Sequence, residues 1–459
     1  MRIVMSYFAQ LQDRKQQYED LACQAVQIAS SKGANEVRIK ISAGKGLDIS
    51  SRHSEVENIE FNQMQGMSVT VYKNKQSGHA STSDFSLDSI NATIDSALSL
   101  CEYTSPDECA GLCEKEDLYH GNLDLAQLYE LDEDPEVIAQ KAVSLDKLAE
   151  QNISKYQEQG LKESDGSSYS MFYSVRTLAT SHGFCNTSLE SEFAKYLSLL
   201  GQKDGVMQRS GGYYSGIDPS KEWSDQRVLD EAVEKTLSKL GAKKVATGKY
   251  PIILTRNAAR EFISTLFSGI QGMRVYQNST FLKDALNTKI FPEFINIKED
   301  PWVVGGLGSV AFDSEGVATR PLEVVQNGVL KEFFIDSYSA RKLNMPCNGH
   351  NDSVYNIFIS ADDAHTCDLQ TMMNEVGSGL VINSLMGQGT NIINGNYSRG
   401  ASGFYFENGN RVHAVDEITI AGNLKDMFLS IAKLGNDLDE RSRVQVGSIL
   451  LPEITVSGS

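Results

Sequence analysis

The chain has 459 residues, of which 41% are hydrophobic and 22% charged, with a formal net charge of −18 at neutral pH. That length exceeds one ordinary core and predicts two domains or three. The acidity argues against a nucleic-acid binder, which needs clustered Lys and Arg against phosphate, and equally against docking on an anionic membrane. No stretch reaches the ~18 apolar residues of a membrane span, and MRIVMSYFAQLQDRK offers no signal-peptide core. Seven cysteines (Cys23, Cys101, Cys109, Cys113, Cys185, Cys347, Cys367) are too few and too scattered for a disulfide framework. The expectation is a cytoplasmic protein with reduced thiols.

In chain order, Leu21, Ala22, Ala25, Val26 and Ile28 form one apolar face and predict a helix over Asp13–Ser31. From Glu36 the period drops to two, in Val37, Ile39, Ile41 and again in Met67, Val69, Val71, so Glu36–Ser83 reads as an antiparallel sheet. Ser86 can cap a helix whose apolar positions are Leu87, Ile90, Ile94, Leu98 and Cys101. Asp134-Pro135 is a cap followed by an N1 proline and starts a helix reaching about Gln159. Strands are expected over Ser167–Ala179 and Leu189–Leu200, turning at His182-Gly183. A helix over Asp225–Leu240 ends at Gly241.

The link AKKVATGKY follows, and the domain boundary is placed there, giving an N-terminal α+β domain over 1–243 and a second domain over 244–459. Beyond the link, strands are expected at Tyr250–Leu254, Gly316–Leu322, Leu330–Ile335, Gly403–Val412, Glu417–Ala421 and Val444–Val456. Helices are expected at Ala258–Ile270 and Ala421–Leu434. The fold class is therefore α+β: a helix-flanked antiparallel sheet, then a β-rich barrel or sandwich with few helices. No internal repeat is visible.

No two of the seven histidines stand three to five residues apart, so none pair on one helical face as zinc ligands do. The Asp362, Asp363, His365 cluster reads as a solvated turn, and Cys109 with Cys113 lacks a second pair. There is no G-x-S-x-G elbow. Gly306 to Ala311 mimics a dinucleotide fingerprint, but Asp313-Ser314-Glu315-Gly316 after it is a turn and not a helix.

What the chain does offer is a segment, Leu385–Phe406, holding Gly387, Gly389, Gly395, Gly400 and Gly403 among Asn391, Asn394 and Asn396. Glycine at that density implies left-handed turns or close backbone approach. With no histidine, cysteine or carboxylate, the segment can bind through backbone groups and hydroxyls but cannot activate water. Candidate peptide- or partner-binding residues are Gly387, Gly389, Asn394, Tyr397, Ser398, Arg399 and Gly400 here. Tyr338 and Arg341 join them from TyrSerAlaArgLysLeu, where a guanidinium could grip a carboxylate through two bonds.

Five ordered blocks of the second half, DSEGVATRP (Asp313–Pro321), SYSARKL (Ser337–Leu343), LMGQG (Leu385–Gly389), NYSRGASGF (Asn396–Phe404) and EITIAGNLKDM (Glu417–Met427), are identified as those of the TldD/PmbA family. TSPDECAGL (Thr104–Leu112), ATSHGF (Ala179–Phe184) and DGVMQR (Asp204–Arg209) extend the match more loosely into the first half. The resemblance implies a cytosolic metalloprotease acting on short or unfolded polypeptides, linked with peptide-antibiotic precursor maturation and antitoxin turnover. Catalytic members of the family carry a His-Glu-x-x-x-His helix. In a rough register its first His, Glu and last His fall here on Ser264, Thr265 and Gly269, none able to ligate zinc.

The implied role is thus a subunit without its own metal or cofactor, paired with a TldD-like partner that supplies zinc, self-associating when isolated. Two other classes stay open: a metallohydrolase with dispersed ligands such as His182, His350 and His413, and a non-proteolytic regulator of DNA gyrase.

Overall fold

The computed structural model describes residues 6–131, 134–351 and 354–458; the first five residues of the N-terminal segment lie outside them. The first half runs α1 (Tyr7–Ser31), β1 (Glu36–Arg52), β2 (Glu55–Lys73), β3 (Gln76–Thr82), α2 (Leu87–Cys101), α3 (Pro135–Tyr156), β4 (Leu161–Thr180), β5 (Cys185–Lys203), β6 (Val206–Gly216) and α4 (Asp225–Leu237). All six strands pair antiparallel in the order β3-β2-β1-β4-β5-β6. The order is symmetric about the β1–β4 pair, and each side is one helix, three strands and a second helix. This duplication answers the expectation of no internal repeat. It left no trace in sequence because only the alternation of buried and exposed positions is shared, not the residues.

Local chemistry accounts for the helix ends. The Ser86 hydroxyl accepts from Ser89 N, and Asp134 accepts from Glu136 N with Pro135 at the first helical position. α1 starts six residues before the expected Asp13, because Ser6 accepts from Ala9 N and Tyr7 and Leu11 are buried. β6 was missed; its glycines and hydroxyls hid a strand whose register, Tyr214 to Lys195, is nonetheless continuous.

The second half runs β7 (Gly248–Leu254), α5 (Arg256–Gly269), α6 (Gly272–Tyr276), β8 (Asn296–Glu299), β9 (Leu322–Gln326), β10 (Val329–Leu330), α7 (Ser337–Leu343), β11 (Ile357–Ser360), β12 (Thr366–Cys367), α8 (Leu369–Val376) and β13 (Ser378–Met386). Then come β14 (Thr390–Asn391), β15 (Asn396–Glu407), β16 (Asn410–Asn423), α9 (Leu424–Leu429), β17 (Lys433–Gly435), β18 (Val444–Gln445) and β19 (Ile449–Ser457). β7 pairs with both β13 and β19, so the path β7-β13-β15-β16-β19 closes into a barrel. A five-stranded sheet, β10-β9-β8-β11-β18, packs beside it on a shared core that includes Phe262, Phe291, Phe334 and Phe428.

Several expected strands shift. Gly403–Val412 is interrupted by a two-residue hairpin turn at Asn408 (φ 49°) and Gly409 (φ 71°), the left-handed pair such a turn requires. Gly316–Leu322 is a loop making isolated bridges, and β9 starts where it was expected to end. Of Leu330–Ile335 only the first residue is strand; of Ala421–Leu434 only α9 is helix; and Val444–Val456 splits into β18 and β19.

The two halves are clasped on two sides. On one, Arg441, whose side chain is fully buried, is held by Glu231 (2.8 and 3.0 Å) and Asp439 (2.8 and 2.9 Å), donates to Tyr213 O and stacks on Trp223. Burial would push the Glu231 carboxyl up, but the Arg441 bonds prevail and hold it below the ordinary range. On the other, α7 grips the loop after α2: Lys342 Nζ lies 2.8 Å from Asp107 Oδ1, and Arg341 donates to the carbonyls of Cys109 and Leu112. Nearby, Arg38 meets the buried Glu315 at 3.2 Å.

Candidate functional site

Side chains alternate across the large sheet. Tyr169, Met171, Tyr173 and Val175 of β4 are buried on the helix side, whereas Phe172, Ser174 and Arg176 face the barrel. A Cβ at Gly44 would come within 2.3 Å of the Phe172 ring and one at Gly46 within 2.5 Å, so bare backbone on β1 is what lets that ring lie against the sheet. Opposite this polar face stands α5, whose core side is Ala258, Ala259, Phe262, Ile263 and Leu266. Its open side is Arg260, Glu261, Ser264 and Ser268, at the spacing of one helical face.

Between sheet and helix lies a cavity of about 800 Å³ bordered by Arg260, Glu261, Ser264, Arg399 and Arg443 from the second half. A hollow of about 300 Å³ adjoins it over Ser264, Ser268, Gln271 and Arg274. A third, of about 660 Å³, lies by Arg274, Gly389, Thr390, Tyr397 and Ser398. Ser264 borders the first two and Arg274 the last two, so the three form one groove along α5.

The glycine-rich segment forms the far end of this groove and is mostly β13, β14 and β15 rather than loop. Gly387 (φ 81°) and Gly395 (φ 80°) take the left-handed conformation. Gly389 and Gly403 have no room for a side chain: a Cβ would lie 1.7 Å from Ser398 O and 1.8 Å from Val381 O. Gly400 meets neither condition, its nearest neighbour being Met386 Cβ at 3.5 Å.

Tyr397 and Ser398 border the third hollow, and Arg399 borders the cavity, bonded to Glu261 at 2.9 Å and to Met386 O at 3.1 Å. Asn394 sits on the exposed turn, its amide oxygen accepting from Asn396 N. Tyr338 and Arg341 lie elsewhere, at the clasp, with Tyr338 donating to Asp107 and Arg341 to the 109–112 backbone. Sequence reasoning missed Arg260, Arg274 and Arg443. The amphipathic pattern of α5 was the available signal for the first.

Of the three α5 positions aligned with a zinc helix, Ser264 alone faces the groove. Thr265 is buried and donates to Phe262 O, and a Cβ on Gly269 would press on Leu282 at 3.0 Å. Residues five apart on a helix point some 140° away from each other, so the rough register could not put all three on one side.

The groove residues do not fit a catalytic divalent ion. Its lining carries neither histidine nor cysteine, and two of its carboxylates, Glu190 and Glu261, are paired with Arg176 and Arg399. Among the described residues no three His, Cys, Asp or Glu side chains are grouped to hold a metal. His182 contacts Cys113 O and Glu36, buried His350 is bonded to Glu299 and stacked on Phe334, and His413 packs edge-on to Tyr405, three separate settings.

The architecture has close counterparts. A protein from Bacteroides thetaiotaomicron described as a candidate modulator of DNA gyrase superposes with a TM-score of 0.88 at 22% identity, covering 96% of this chain and 99% of that one. TldE from Thermococcus kodakarensis gives 0.81 at 20% identity, covering 95% and 100%. These establish a shared fold.

The sequence goes further: residues 247–458 match the family model of the PmbA/TldA metallopeptidase C-terminal domain, 37–101 that of domain 1 and 131–240 that of the central domain. Metalloprotease PmbA of Escherichia coli O157:H7 is 36% identical over 458 residues, all of both chains. The chain belongs to the PmbA/TldD metalloprotease family. A PmbA homolog from Haemophilus influenzae is 34% identical over 98% of each chain. The domain 1 and central models of the family divide the first half, yet here they fall on the two repeats of one continuous sheet, joined through β1 and β4. Among the described residues no helix is long and apolar enough to cross a membrane.

Proposed function

We propose that this PmbA/TldD family chain is the substrate-shaping subunit of a metalloprotease, pairing with a TldD-like chain that carries the zinc and acting on short or unfolded polypeptides. The observation that carries this reading is the groove along α5: three adjoining hollows, open at the surface, with hydroxyls, guanidiniums, backbone and three carboxylates on their walls but neither histidine nor cysteine to hold a catalytic ion. Such a groove suits an extended backbone, which is recognised through main-chain and hydroxyl bonds without side-chain chemistry from the host. The name TldE borne by the Thermococcus neighbour accords with a two-chain assembly.

In this role the chain's residues position and do not cleave. Arg399, fixed by Glu261 and Met386 O, stiffens the wall between cavity and hairpin. The clasps at Arg441 and Lys342 hold sheet and barrel at a constant spacing. The test is to purify the chain alone and co-expressed with a TldD-like partner, then assay hydrolysis of an unfolded polypeptide and bound zinc. Activity and stoichiometric metal only in the co-expressed pair are expected. Equal activity from the isolated chain would overturn the reading.

A further inference from the structure

The chain carries 18 excess negative charges, yet three of the arginines along the groove have no ion pair among the described residues. Arg260 has one long contact, 3.5 Å to Asn257 Oδ1, and Arg443 one, 3.4 Å to Val354 O; no carboxylate lies within ion-pair distance of either among the described residues. Arg274, where the second and third hollows meet, likewise has no ion pair among them. By contrast Arg176, Arg399 and Arg441 around the same cavity are all paired.

A second observation comes from the third hollow. Tyr397, 2% exposed, and Thr390 both border it, and both hydroxyls are buried without a hydrogen-bond partner. The two residues are direct cross-strand partners in the β14–β15 pair, so their side chains share one face. Buried hydroxyls are ordinarily bonded, because leaving one unpaired forfeits its hydration. Each can donate, and Arg274 beside them can only donate. Of the three carboxylates on the large cavity's wall, Glu190 and Glu261 are paired and Glu192 has no ion pair among the described residues, so the unpaired donors are the guanidiniums of Arg260 and Arg443 there, and Arg274, Thr390 and Tyr397 in the third hollow.

We propose that the groove selects carboxylate-bearing extended peptides, seating one carboxylate at Arg260 and Arg443 and a second acceptor against Arg274 and the Thr390 and Tyr397 hydroxyls. This rests on the peptide-groove reading above and adds the chemistry of selection. The carboxylate can be a peptide C-terminus or an acidic side chain, and the experiment separates the two.

Binding to the full chain is measured by fluorescence anisotropy with four probes. They are a labelled unstructured decapeptide with a free C-terminus, its C-terminal amide, an amidated version carrying two internal glutamates, and a single-stranded oligonucleotide. Either carboxylate source is expected to tighten binding about tenfold or more over the plain amide, the scale of a charge-assisted two-bond contact. Arg260→Gln with Arg443→Gln should remove most of that preference, whereas Arg320→Gln, an exposed arginine outside the groove, should not.

Tyr397→Phe supplies a readout that a purely structural role would not give. Deleting an unpartnered buried hydroxyl should leave thermal stability unchanged or raised while peptide binding weakens. Equal binding of all three peptides, unaffected by the arginine variants, overturns the selection and leaves the groove reading intact. Binding of none of them overturns both. Arginine-dependent binding of the oligonucleotide alone replaces carboxylate by phosphate and also overturns the proposal.

Discussion

Lys342 Nζ lies 2.8 Å from Asp107 Oδ1 although the residues are 235 positions apart, and Tyr338 donates to the other oxygen of the same carboxylate. Asp107 belongs to TSPDECAGL and both partners to SYSARKL, so the family-like blocks of the two halves meet in space as the clasp between them. The Lys342 and Tyr338 bonds and the Cys109 amide hold the Asp107 carboxyl down to about 2.

A carboxyl lowered in the folded state contributes stability that is present above its unfolded value and lost as pH falls through the folded one. Acidification from about pH 4 toward pH 2 should therefore loosen the 104–112 loop from α7. The Cys109 amide donates to Asp107, so its protection, the exchange rate taken relative to the intrinsic rate at each pH, should fall across that window, and Asp107→Asn should show low protection already at pH 6. Protection of that amide that stays constant from pH 6 to pH 2 would contradict the clasp.

Arg441 is the counter-ion of two carboxylates in a setting closed to water. Arg441→Ala should cost about 3–5 kcal/mol in denaturant unfolding, because it leaves Glu231 and Asp439 buried with reduced compensation. Arg443→Ala, two residues on and exposed, should cost under about 0.5 kcal/mol.

Gly389→Ala and Gly403→Ala force a methyl into Ser398 O and Val381 O, and each should cost about 3 kcal/mol or more, since backbone must move. Gly400→Ala, in the same strand as Gly403, should be nearly silent. A ranking by thermal denaturation in which Gly400 is the most sensitive would sink the account.

Glu299 and His350 are bonded to each other within the core, and Glu299 also accepts from Tyr355 N at 2.7 Å. His350→Leu leaves that carboxylate without its partner and should destabilise by about 3–5 kcal/mol. Pairing it with Glu299→Leu should recover part of the loss, which a double-mutant cycle measures.

Much of the first half was legible in sequence because its signals are local. Ser86 and Asp134-Pro135 place helix starts by their own side chains, and the alternation of Val37, Ile39 and Ile41 reports a half-buried strand. The glycine segment was legible as a class of backbone but not as strands, since Gly389 and Gly403 are required by the positions of Ser398 and Val381. β6 and the short strands of the second half were harder still, because a two- to five-residue strand gains its stability from its neighbours and not from its own composition.

The sequence by itself settled the acidic charge, the helix caps, the family and the absence of paired histidines, each a property of residues or of their spacing along one segment. Tertiary structure alone decided that two repeats share one sheet and that Asp107 faces Lys342. It likewise decided that Arg260, Arg274 and Arg443 line one groove with no ion pair among the described residues. The reason is physical: burial, ion pairing and a hydroxyl left without a partner are relations between distant segments, set by how the chain closes on itself.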